Sequence, residues 1–170
     1  MHPPLDLPLL RKFSIRFFPK EWEEHDPLVM FNNVPPLHEV LIGEVLPSLV
    51  SLPWQQITKF TGACYTVSEC LQALRLMSNH VEWAFSAYEL DDEADGLKVF
   101  SHSNMQHLTL LDIPLNFGNR DYSAHILRFL TLPALRLLEI QGVVDLEPLL
   151  LREFLLRPSP PVIKTPRAPI

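Results

Sequence analysis

The chain has 170 residues, 47% of them hydrophobic, and a formal net charge of −6. That length and apolar content suit one domain with a real core and exclude disorder along the whole chain. The acidic balance argues against nucleic acid as a partner, because phosphate neutralisation needs clustered Lys and Arg.

No run of about 18 apolar residues occurs, so no membrane partner is expected. The leucine-rich stretches are interrupted by Arg128, Pro133, Arg136, Glu139, Glu147 and Arg152. The N-terminus, MHPPLDLPLLRKFSI, lacks the basic segment and unbroken apolar stretch of a signal peptide. Cys64 and Cys70 do not make a disulfide framework, and free thiols in a reducing compartment are the simpler reading. An intracellular location, cytoplasmic or nuclear, follows as the expectation.

There are 17 prolines against 5 glycines, and the prolines punctuate the chain at intervals. Between them a pattern of three apolar positions, h-x-x-h-x-h, recurs. It reads Leu10-Phe13-Ile15, Leu37-Val40-Ile42 and Ile57-Phe60-Gly62, then weakly Val81-Ala84-Ser86, then Met105-Leu108-Leu110 and Leu135-Leu138-Ile140. The first positions, 10, 37, 57, 81, 105 and 135, lie 27, 20, 24, 24 and 30 residues apart. Most of these intervals fall in the range of leucine-rich repeats, in which each unit gives one short strand and one return segment. Neither piece buries its apolar face alone, so stacked neighbours must build a shared core.

Four return segments read as helices. In Thr66–Met77, Thr66 and Glu69 have the capping-box spacing, and Val67, Cys70, Leu71 and Leu74 share one face. Asp121–Leu132 carries a stripe of Ile126, Leu127 and Leu130. Leu146–Arg157 has Asp145 as its expected cap and Pro148 in its first turn, with Pro158 to stop it. Asp26–Val34 is a short fourth. A proline or asparagine stands before most strands: Pro8, Pro35, Pro53, Asn79, Asn104 and Pro133. The expected fold is therefore an α/β, short leucine-rich-repeat solenoid. A parallel sheet lines its concave face, with helices and loops on the convex face. Residues 1–161 form about six repeats open at both ends, and 162–170 a frayed Pro-rich tail.

The stretches LPWQQITKFTGACYTVSECLQALRLMSN, FSAYELDDE, HSNMQHLTLLD and ILRFLTLPALRLLEIQG, the last followed by FLLRPSPP, resemble the leucine-rich-repeat region of fungal F-box family proteins. The resemblance spans about Leu7 to Pro161. It implies a substrate-binding role, in which an F-box docks a Skp-type adaptor and cullin ubiquitin ligase while the repeats hold a protein substrate. No part of this chain reads as an F-box, so adaptor docking carries over to none of its residues and would require an F-box upstream. The expected function is thus non-enzymatic protein–protein recognition, with no cofactor, metal or catalytic residues. The alternatives are a structural or regulatory repeat protein with no ligase connection, or a fragment of a longer gene product.

Residues alternating with the apolar positions face the other side of each strand. This gives a candidate binding face of Lys12, Arg16, Glu39, Lys59, Trp83, Phe85, His107, Thr109, Leu137, Glu139 and Gln141, with Ser14, Leu41, Thr61 and Leu111 between them. A one-residue shift in the weak fourth repeat would bury Trp83 and Phe85 instead. The acidic stretch Tyr88–Gly96 lacks the ligand spacing of a calcium loop and reads as a solvated loop. The seven histidines are scattered, with no HExxH, and read as surface or turn residues. Cys70 sits on the apolar stripe of its helix, which favours packing over nucleophilic chemistry. Phe17, Phe18 and Trp22 read as cover for the open end of the core, and the P-x-x-P at Pro158–Pro161 as part of the tail.

Overall fold

A computed structural model describes residues 7–16, 36–43, 45, 47–89, 97–111, 123–142 and 146–157. Asp26–Val34, Phe17, Phe18, Trp22, Asp91–Gly96, Asp145 and the tail lie outside the described residues. Eight strands and two α-helices are named in chain order. They are β1 (Lys12–Arg16), β2 (Glu39–Gly43), β3 (Lys59–Thr66), α1 (Val67–Leu76), β4 (Glu82–Glu89), β5 (Phe100–Ser101), β6 (His107–Leu111), β7 (Leu130–Thr131), β8 (Leu137–Gln141) and α2 (Pro148–Leu156). Six strands form one all-parallel sheet in the order β1-β2-β3-β4-β6-β8. The chain is a mixed α/β protein with the six-stranded parallel sheet expected from its spacing. A second parallel pair, β5 with β7, has no counterpart in the apolar pattern.

One hydrogen-bond arrangement recurs at the entry to each strand of the six-stranded sheet after β1. The Arg11 carbonyl accepts from the amides of His38 and Glu39, at 3.1 and 3.2 Å. The His38 carbonyl accepts in the same way from Thr58 and Lys59, and that of Thr58 from Val81 and Glu82. Val81 then serves Gln106 and His107, and Gln106 serves Arg136 and Leu137. Each carbonyl uses both lone pairs on the next strand, so register passes from strand to strand through five junctions. The asparagines before β4 and β6 reinforce two of these. The Asn79 side chain donates to the Gln55 carbonyl, and that of Asn104 to the Ser78 carbonyl, each at 2.9 Å.

The register corrects the frame of the fourth unit. Glu82 pairs with Lys59 and His107, so Trp83 lies level with Phe60 and Leu108, and Phe85 with Gly62 and Leu110. The apolar triplet is therefore His80-Trp83-Phe85, one residue earlier than Val81-Ala84-Ser86. Trp83 and Phe85 are buried, with their rings stacked at 4.5 Å, and do not belong to the exposed face. An imidazole stands where the other units have Leu37, Ile57, Met105 and Leu135.

α1 forms as the capping-box spacing requires. The Thr66 hydroxyl accepts from the Glu69 amide at 3.3 Å, and the Glu69 carboxylate accepts from the Thr66 amide at 2.7 Å. Val67, Cys70, Leu71, Ala73 and Leu74 bury one face, with the Cys70 thiol outside any disulfide. α2 starts at Pro148 without a side-chain cap and buries Leu150 and Phe154. The expected α-helix at 121–132 is instead a 3₁₀ segment, Ser123–Phe129, running into β7. Ile126, Leu127 and Leu130 are buried as their stripe demands. The tighter coil follows from its anchors. The buried Ser123 hydroxyl donates to the Leu111 carbonyl and accepts from the Ala87 amide, while Arg157 holds the other end by donating to the Leu127 and Leu130 carbonyls. No helix among the described residues is long and apolar enough to cross a membrane.

Candidate functional site: the exposed face of the sheet

With one row of each strand buried or half-buried, the alternate row is set out for solvent. Two transverse rows cross the whole sheet. The first is Lys12, Glu39, Lys59, Glu82, His107 and Leu137, and the second is Ser14, Leu41, Thr61, Ala84, Thr109 and Glu139. Arg16 and Gly43 continue at one side, and Leu111 lies beside Gln141 at the other. All expected face residues except Trp83 and Phe85 stand on this surface. Glu82 and Ala84 take the places of the two aromatics.

Charge in the first row is largely neutralised within it. Lys12 Nζ lies 2.8 Å from Glu39 Oε1, and Lys59 Nζ lies 3.3 Å from Glu82 Oε2. His107 Nδ1 is 3.6 Å from Glu82 Oε1, an ion pair only when the imidazole is protonated. The Lys12 hydrogen bond holds the Glu39 carboxyl below its ordinary value; burial opposes it, and the charges of Lys12, Lys59 and His38 add to the lowering. Glu139 differs. It forms no ion pair among the described residues and accepts only a long hydrogen bond, 3.5 Å, from the Thr109 hydroxyl.

Ala84 is the smallest side chain of the second row, and its neighbours stand above it. The result is a depression of about 440 Å³ across β3, β4, β6 and β8. Lys59, Glu82, His107, Thr109, Leu137 and Glu139 are among the residues that line it. The recess is mainly apolar, with polar and charged groups around it and one carboxylate, Glu139, without a countercharge among the described residues. Among the described residues, no three His, Cys, Asp or Glu side chains come together to hold a metal ion.

The recess was hidden from sequence reading by His80. A polar side chain in an apolar slot makes Val81 look like the start of the unit, which puts Trp83 and Phe85 on the wrong face. The spacing of Trp83 and Phe85, two apart like every other buried pair, was the available signal. His80 and His102 also depart from the surface role expected of the histidines, since both are buried. His107 does stand on the surface, so His102 and His107 serve different environments. No family model, no curated protein and no solved structure matches the chain.

Proposed function

We propose that the chain is a short leucine-rich-repeat solenoid acting as a non-enzymatic protein-recognition module, with the exposed sheet face as its binding surface. The sequential strand order and the recurring strand-entry hydrogen bonds support a repeat architecture. One observation carries the functional reading. A six-strand-wide face bears a mixed polar and apolar surface, and a recess in it contains a carboxylate, Glu139, with no countercharge among the described residues. Mixed surfaces with desolvated recesses suit protein ligands. The resemblance to F-box repeats favours a ubiquitin-ligase substrate receptor inside the cell, provided an F-box lies upstream. The second reading is a regulatory repeat protein with no ligase.

Photo-crosslinking tests the face directly. A photoreactive residue replacing Thr109 or Gln141 should trap a protein partner in cells, and one replacing the exposed Glu153 on α2 should not. Equal trapping from both sites, or none from the sheet, would reject the face as the binding surface. Adaptor and cullin recovered with the full gene product would favour the ligase branch. A partner recovered without them would favour the second reading.

A further inference from the structure

His80 occupies a leucine position in the packed row, is fully buried, and has no hydrogen-bond partner on either ring nitrogen. The Phe60 ring packs against it at 69°, with centroids 6.3 Å apart. The titratable side chain that acts on it is His102, itself buried, from the segment after β5. His102 Nε2 lies 2.8 Å from the Met77 carbonyl, which only accepts, so Nε2 carries the proton. In neutral His102 the lone pair is therefore on Nδ1, which is buried and unpartnered. Two imidazoles thus share an apolar interior, and no carboxylate acts on His80 to favour its charged form.

We propose that His80 is an acid-sensitive latch, whose protonation opens the packing between β3, β4 and the His102 segment. Geometry gives the reason. A charged ring at this point packs against the Phe60 ring and a second imidazole, with only the backbone at Ile57 and Glu82 to favour it and no carboxylate acting on it, so the protonated form is better accommodated where water reaches it. Burial first, and the charge of His102 second, depress the His80 pKa to about 3, while the backbone at Ile57 and Glu82 offsets part of the shift. The sign follows. Above its ordinary value of about 6.5 the imidazole is neutral in folded and unfolded chains, and stability is complete. Below that, the unfolded or opened chain takes a proton that the closed one refuses, and stability falls progressively towards about pH 3.

The experiment compares wild type with His80→Leu and His80→Met, residue types that related units carry at this position, by urea unfolding from pH 7.5 to 4.5. The ratio of the folding constant of the variant to that of wild type should rise about tenfold for each pH unit below about 6.5. Carboxylate titrations are common to both proteins and cancel in the ratio. A ratio independent of pH would overturn the latch. Should the variants fail to fold, side-chain NMR of wild type decides: the His80 ring stays neutral to pH 5 if the latch exists, and a midpoint near 6.5 would refute it. Amide exchange tests the locality. On acidification, exchange in β3 and β4 should accelerate in wild type relative to the variant, and an equal acceleration in α2 would exclude local opening.

Discussion

Single residues in this protein have very unequal weight. Trp83 is the largest fully buried side chain among the described residues, stacked on Phe85, and its removal leaves a void between units. Trp83→Ala should destabilise by about 3–5 kcal/mol in denaturant unfolding. The Lys12–Glu39 pair lies at the other extreme. It is short, but the Lys12 side chain is 62% exposed and solvent screens the attraction. Glu39→Gln should change stability by less than about 1 kcal/mol. Because the Glu39 pKa is depressed, that small contribution is present above the ordinary carboxylate range and disappears as pH falls through the folded value. At this scale most of the candidate face was legible, because side-chain alternation in a strand is strict. The two misplaced residues, Trp83 and Phe85, follow from one polar residue, His80, in an apolar slot, and only their own two-residue spacing signals the shift.

Elements differ in how far local sequence decides them. α1 was readable to within a residue or two, since Thr66 and Glu69 satisfy each other's backbone amides and the apolar stripe does the rest. Thr66→Ala should cost about 1 kcal/mol and fray the first turn, measurable by unfolding and by amide exchange at Val67–Cys70. The segment at 123–129 has an equally good stripe and is nevertheless a 3₁₀ coil. Its geometry is set by distant partners: Leu111 and Ala87 on Ser123, and Arg157 on the Leu127 and Leu130 carbonyls. Such contacts lie 12 to 36 residues away and leave no local trace in the pattern. Arg157→Met keeps most of the side-chain volume but orphans both carbonyls. It should destabilise by about 1–3 kcal/mol, with the loss visible as faster exchange around β7.

At the scale of the whole molecule, burial is graded along the sheet. Val40 and Ile42 in β2 are fully buried, as are Leu108 and Leu110 in β6, whereas Phe13 and Ile15 in β1 and Ile140 in β8 are only half-buried. Amide protection should follow the same gradient, greatest in β3, β4 and β6 and least in β1. Hydrogen exchange with mass spectrometry would show it, and uniform protection would contradict it. The overall class was legible because six apolar triplets at roughly constant spacing leave few alternatives to a parallel sheet. The β5–β7 pair was not, because two-residue strands carry no period.

The paired amides at each strand entry have a consequence for how this surface changes over time. The carbonyls that receive them belong to residues 11, 38, 58, 81 and 106, and the strands they position begin at residues 39, 59, 82, 107 and 137. The intervening connections differ in length, yet the surface rows remain level. Length and alignment are therefore inherited separately. A connection can gain or lose residues while the face it joins keeps its pattern, so the outline of the molecule can drift without scrambling what it presents.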